Sequence, residues 1–77
     1  MKLSRLFVET EWTEEKLAAA VGVSQPTINK LRHEKRSASL GLALRIERAT
    51  EGLVRADDLP LSRSARRDLE MVRGVAA

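Results

Sequence analysis

Two side-chain amides four residues apart, Gln25 and Asn29, each set a hydrogen-bond donor beside an acceptor. Lys30 follows as a flexible cation, and Arg32, His33, Lys35 and Arg36 continue the run. Groups of this kind recognise a patterned polar edge and an anionic backbone; they are not a set that makes or breaks bonds. The charge is as local as the amides. Residues 25–36 hold Lys30, Arg32, Lys35 and Arg36 against Glu34 alone, a balance of +3. Residues 1–24 come to −1 and residues 37–77 to +1. The excess cation therefore sits in one short stretch, which points to a local anionic partner rather than to general stickiness.

Reactive chemistry has little to work with. There is one histidine and no cysteine, so disulfides, thiolate catalysis and Cys-ligated zinc are out. The adjacent carboxylates Asp57 and Asp58 fall in a surface turn, and there is no glycine-rich phosphate loop. With 77 residues the chain makes one small domain, short of the barrels and doubly wound sheets that usually house cofactors. An enzyme, a cofactor and a metal are not expected. The composition, 43% apolar and 32% charged, is that of a globular protein. The longest apolar run, Leu17 to Val23, is too short to cross a membrane, and Arg5, Glu9 and Glu11 interrupt any leader-like segment after Met1. An intracellular, cytoplasmic protein is the expectation.

Helices must position these side chains. Leu3, Leu6 and Phe7 mark one face of a first helix, from Lys2 to about Glu9. Thr13 is an N-cap for a second, with Glu14 and Glu15 favoured by the helix dipole and Trp12 and Leu17 at hydrophobic-staple spacing. Gly22 ends it in the left-handed conformation. Ser24 caps the third helix at once, Val23 and Ile28 forming a second staple; Pro26 sits in its first turn, and the helix ends near Arg32 or His33. A basic loop leads to Ser39, which starts a fourth helix from Leu40 to about Glu51 with Leu42, Ala43, Ile46 and Ala49 on one side and Gly52 closing it. Asp57, Asp58 and Pro60 make a turn or one short helical turn. Ser62 caps a last helix to about Arg73, with Ala65, Leu69 and Val72 as its apolar stripe. Only Gly52 to Arg55 leans towards strand, and it is too short for a sheet. The fold class is all-α, a compact bundle of four to five short helices.

Two capped helices separated by Gly22-Val23-Ser24 have the arrangement of a helix-turn-helix. Ala18, four residues before Gly22, is small enough for close approach, while Leu17, Val21, Val23, Ile28 and Leu31 supply the apolar contacts. On these residues, Glu14 to His33 above all, the chain resembles the Cro/lambda-repressor-like helix-turn-helix family, also called XRE. Leu42 to Thr50 looks like the fourth helix of its small Cro-like, YdaS-type members, so the resemblance covers about Trp12 to Leu59.

The resemblance implies a lambda-repressor-like fold and a sequence-specific DNA-binding transcriptional regulator, a repressor bound to the major groove of double-stranded DNA. It places Gln25 at a base-reading position. At about 100° per residue, Ile28 and Leu31 face inward while Pro26, Asn29, Lys30 and His33 point away, with Gln25 and Thr27 on the flanks. Gln25 and Asn29 match adenine N6 and N7, Lys30 matches guanine O6 and N7, and Pro26 and the Thr27 methyl suit a thymine methyl, the Thr27 hydroxyl suiting a phosphate equally. Arg32, His33, Lys35 and Arg36, with backbone N–H groups near Thr13, are the candidate phosphate contacts. Glu14 departs from the family pattern, which favours an uncharged polar residue there; it is left to pair with a base such as Lys30 or to serve the helix dipole alone.

Residues 1–61 make the DNA-binding domain and 62–77 a C-terminal helix and tail for dimerisation or contact with a protein partner. Leu53, Val54, Leu59, Leu61, Leu69 and Val72 are the candidate surface of a homodimer on a pseudo-palindromic operator, with intramolecular packing as the alternative. Arg63, Arg66, Arg67 and Arg73 read first as a solvated face, with contact to DNA or to a partner protein as the alternatives. Bound to DNA, the protein would be associated with the nucleoid. A different class of function is a protein-interaction module, such as an antitoxin or anti-regulator, which needs no basic groups beside Gln25.

Overall fold

The computed structural model describes the backbone of residues 1–76 and the side chains of residues 1–73. Its helices are α1 (Leu3–Glu9), α2 (Glu14–Val21), α3 (Gln25–Arg32), α4 (Leu40–Ala49) and α5 (Arg63–Ala76), with a 3-10 turn at Ala56–Asp58 before the last. No strand occurs among the described residues; one isolated parallel bridge joins Ala38 to Leu61. The chain is all-α.

Local chemistry accounts for the start of α2. The Thr13 hydroxyl accepts from the Lys16 N–H (3.1 Å), and Glu14 and Glu15 lie in the first turn. Gly22 comes next at φ 75° with the Val23 N–H returning to the Ala18 carbonyl (3.0 Å), a Schellman ending. Leu17, Ala18 and Val21 then meet Ile28 and Leu31 of α3 in the core, Leu17 and Ile28 with no exposed surface. Ser24 occupies the N-cap position of α3, but its hydroxyl pairs with the Thr27 hydroxyl (2.9 Å) instead of capping the helix.

Beyond α3 several expectations change. The fourth helix stops at Ala49 rather than Glu51. Thr50 is the cause: its buried hydroxyl donates to the Ile46 carbonyl (2.8 Å) and accepts from the Val54 N–H (3.2 Å), turning the chain inward. The segment from Gly52 to Arg55 is therefore a return loop with no strand pairing. The last helix runs past Arg73 to Ala76.

A further change concerns the surface assigned to a dimer. Val54, Leu59, Leu61 and Leu69 are buried within the chain, leaving only Leu53 (44% exposed) and Val72 (60%) open. A core built of small aliphatic residues needs this second layer, in which α4, the 3-10 turn and α5 pack together. Val72 thus leaves the stripe that Ala65 and Leu69 keep. Arg73 is not freely solvated either: it reaches Glu47 of α4 and Asp57 of the turn.

Candidate nucleic-acid interface

Burial of Ile28 and Leu31 fixes the rotation of α3, and so decides what it shows outward. Gln25, Pro26, Asn29, Lys30 and His33 are exposed, while Thr27 is half-buried with its hydroxyl engaged by Ser24. Five residues, Glu14, Gln25, Pro26, Asn29 and Lys30, line an open recess of about 300 Å³ along this row. Thr13, at the start of α2, is exposed, and its capping bond uses the hydroxyl oxygen.

The basic loop is aimed by the way α3 ends. The Glu34 N–H bonds to the Leu31 carbonyl (3.1 Å) and the Lys35 N–H to the Lys30 carbonyl (2.8 Å), a second Schellman ending. Its left-handed position holds Glu34 at φ 57°, where glycine is usual. Lys35, Arg36 and Ser37 emerge exposed, and then Ala38 is pinned in the core, its N–H bonding to the Pro60 carbonyl (2.6 Å) and its carbonyl accepting from Ser62 (3.2 Å). The loop is short, anchored at both ends, and presents Lys35 and Arg36 to solvent just past the C-terminal end of α3. Lys30, Lys35 and Arg36 form no ion pair among the described residues.

Arg32 and Asn29 differ from the rest of the set. The Glu14 carboxylate accepts from Asn29 Nδ2 (3.0 Å) and Arg32 Nη1 (3.2 Å) through the same oxygen. Arg32 also lies over the Phe7 ring, 5.3 Å from its centroid. Partial burial opposes the charged form of Glu14, but hydrogen bonds from Asn29 and Arg32, with the nearby Gln25 amide and the Arg32 charge, outweigh it and hold its pKa below the ordinary carboxylate value. Lys30 is not its partner. Sequence spacing could not reveal this cluster, because it joins residues 15 and 18 positions apart through the angle between two helices.

After α4 the polar groups close on themselves. Glu47 accepts from the Ala56 N–H (2.8 Å) and from Arg73, which also bonds Asp57. The Ala56 bond is the main reason that the Glu47 pKa lies below its ordinary value, partial burial opposing it and Arg73 reinforcing it. Burial likewise opposes ionisation of Asp58, yet the Arg55 N–H and the terminal amine of Met1 hold its pKa low. Neither Thr50 nor Glu47 stood out in the sequence; a lone threonine or glutamate at a helix end carries no pattern.

No group of three or more His, Asp or Glu among the described residues has the arrangement of a metal site. No helix is long and apolar enough to cross a membrane among those residues. The sequence pattern of the family described as bacterial toxin YdaS matches residues 5–70, from α1 through the first half of α5. Neither the curated proteins nor the solved structures gave a match. The chain belongs to the YdaS family, a small Cro-like family, as the resemblance of residues 14–33 and 42–50 implied.

Proposed function

We propose that this member of the YdaS family is a sequence-specific, DNA-binding transcriptional regulator that lays α3 in the major groove. The observation that carries the reading is the exposed row Gln25, Asn29 and Lys30 on a helix whose other side is locked by Ile28 and Leu31, followed in the chain by two exposed cations, Lys35 and Arg36, with no ion pair among the described residues. A major groove accepts one helix, and amide pairs and ammonium groups match the base edges it displays. Gln25 takes adenine N6 and N7, Lys30 donates to a guanine, and Pro26 and Thr27 offer apolar contact to thymine. Thr13, His33, Lys35 and Arg36 meet phosphates, setting affinity and register without carrying sequence information. Repression results if the operator overlaps a promoter.

One module of this size reads few base pairs, so a two-fold dimer with half-sites about 34 Å apart belongs to the proposal. Leu53 and Val72 are what burial leaves of its predicted surface. The family's description as a toxin fits a regulator that halts growth by occupying promoters outside its own circuit.

Selection from a random duplex pool at near-physiological salt tests the reading. Enrichment of an inverted repeat supports DNA binding by a dimer, and a single enriched half-site supports DNA binding alone. Failure of the folded protein to enrich any sequence overturns the proposal and points to a protein partner. On the selected duplex, Gln25→Ala is expected to relax base choice by about 1–3 kcal/mol. Arg36→Ala should weaken all duplexes alike and lower the salt slope by about 0.9.

A further inference from the structure

Glu14 stands where a surface that meets phosphates should be least negative, and its side chain is only 14% exposed. It is not idle there. It spends one oxygen on two groups of α3, the amide of Asn29 and the guanidinium of Arg32. We infer that Glu14 is a specificity-determining residue of the DNA-binding face, withholding Arg32 from phosphates and turning the Asn29 amide to face adenine. This rests on the reading of α3 as the helix that enters the groove.

The carboxylate acts on each partner by elementary chemistry. It only accepts, so the Asn29 nitrogen must face it, and Oδ1 with the second N–H is left for the groove. That acceptor–donor pair is the complement of the adenine edge. Without the carboxylate the amide is free to turn over, and base choice at that position loosens. Arg32 meanwhile has its charge opposed by Glu14 and its face covered by Phe7. A cation so occupied adds little to sequence-independent attraction. Discrimination is a difference of affinities, and lowering the attraction common to all duplexes leaves base contacts to decide.

The test measures Kd for the selected duplex and for a scrambled duplex of equal composition, across salt, with wild type, Glu14→Gln and Glu14→Ala. Both variants should bind the scrambled duplex roughly fivefold more tightly near 0.15 M salt, as the freed Arg32 gains a phosphate, with a salt slope steeper by about 0.9. Their ratio of specific to non-specific affinity should fall. The loss of base preference caused by Asn29→Ala should also shrink in the Glu14→Ala background, since contacting residues are not additive. The double variant Glu14→Gln/Arg32→Gln should bind scrambled DNA as the wild type does. A fivefold loss there would mean that Arg32 already meets phosphate and would overturn the inference. So would unchanged ratios in both single variants with wild-type melting curves, while DNA binding itself stood. A wild-type protein that discriminates between no duplexes would bring down both.

Discussion

Helices α3 and α4 end alike and lead to opposite outcomes. Each closes with a glutamate in the left-handed conformation, Glu34 at φ 57° and Glu51 at φ 54°. Each has the long Schellman bond two residues past its C-cap, Lys35 to Lys30 and Gly52 to Glu47, both 2.8 Å. After α4 the chain turns inward, where Thr50 ties Ile46 to Val54, and Glu47 collects Ala56 and Arg73. After α3 the chain turns outward, and Lys35 and Arg36 stand exposed just past the C-terminal end of the helix that carries Gln25 and Lys30. Local hydrogen bonding sets how a helix stops; the role of the next segment depends on whether its polar groups find internal partners. Where they do, the region is structural. On α3 and just past it, Gln25, Lys30, Lys35 and Arg36 keep no such partner among the described residues, and it is this remainder that the proposed function uses.

The sharpest way to break that contrast is to unseat α3. Ile28→Ala empties a site with no exposed surface and should cost about 2–5 kcal/mol of stability in urea denaturation. It should take duplex binding with it, because the row on α3 loses its fixed rotation. On the closed side, Thr50→Val removes the acceptor for the Val54 N–H and should cost about 1–3 kcal/mol. Base choice should be untouched in the fraction that remains folded. If Thr50→Val altered base preference, the two regions would not be separable.

The twin glutamates sharpen the comparison further. Relief of left-handed strain is worth roughly 1–2 kcal/mol, and glycine's added freedom in the unfolded chain takes back about half. Glu51→Gly should therefore raise the melting temperature and leave DNA affinity alone. Glu34→Gly should also stabilise, and in addition tighten binding to all duplexes by removing a negative charge next to Lys35.

The smallest effect is a pH dependence. Glu47 has a folded pKa below its ordinary 4.5. Its contribution to stability is therefore complete above that value and disappears as pH falls through the lower folded pKa. Glu47→Gln should cost under about 1 kcal/mol at pH 6, and the difference from wild type should vanish in acid. A gap that persisted at low pH would mean that the Glu47 charge contributes nothing.

What the sequence made legible was local. Thr13, Gly22 and Ser39 announced their helix ends because capping depends on one side chain and its nearest backbone. Ile28 and Leu31 oriented α3 because periodicity reports a buried side. Partners were not legible. Leu59, Leu61 and Leu69 looked like spare apolar surface because nothing in their spacing tells an internal neighbour from an external one. Glu51 hid the end of α4 because glutamate gives no sign of a left-handed residue. Glu14 was out of place by charge alone, and only the crossing of α2 and α3 supplied Asn29 and Arg32.

The division between an open face and a closed pole is tested most directly by NMR titration of the labelled protein with its selected duplex. If α3 enters the groove, backbone amides of Gln25, Thr27, Asn29 and Lys30 should shift together with those of Lys35 and Arg36. Amides of the Ala56–Asp58 turn and of α5 should stay in place. Shifts concentrated on α5 and that turn, with α3 silent, would contradict the assignment of the DNA-binding face.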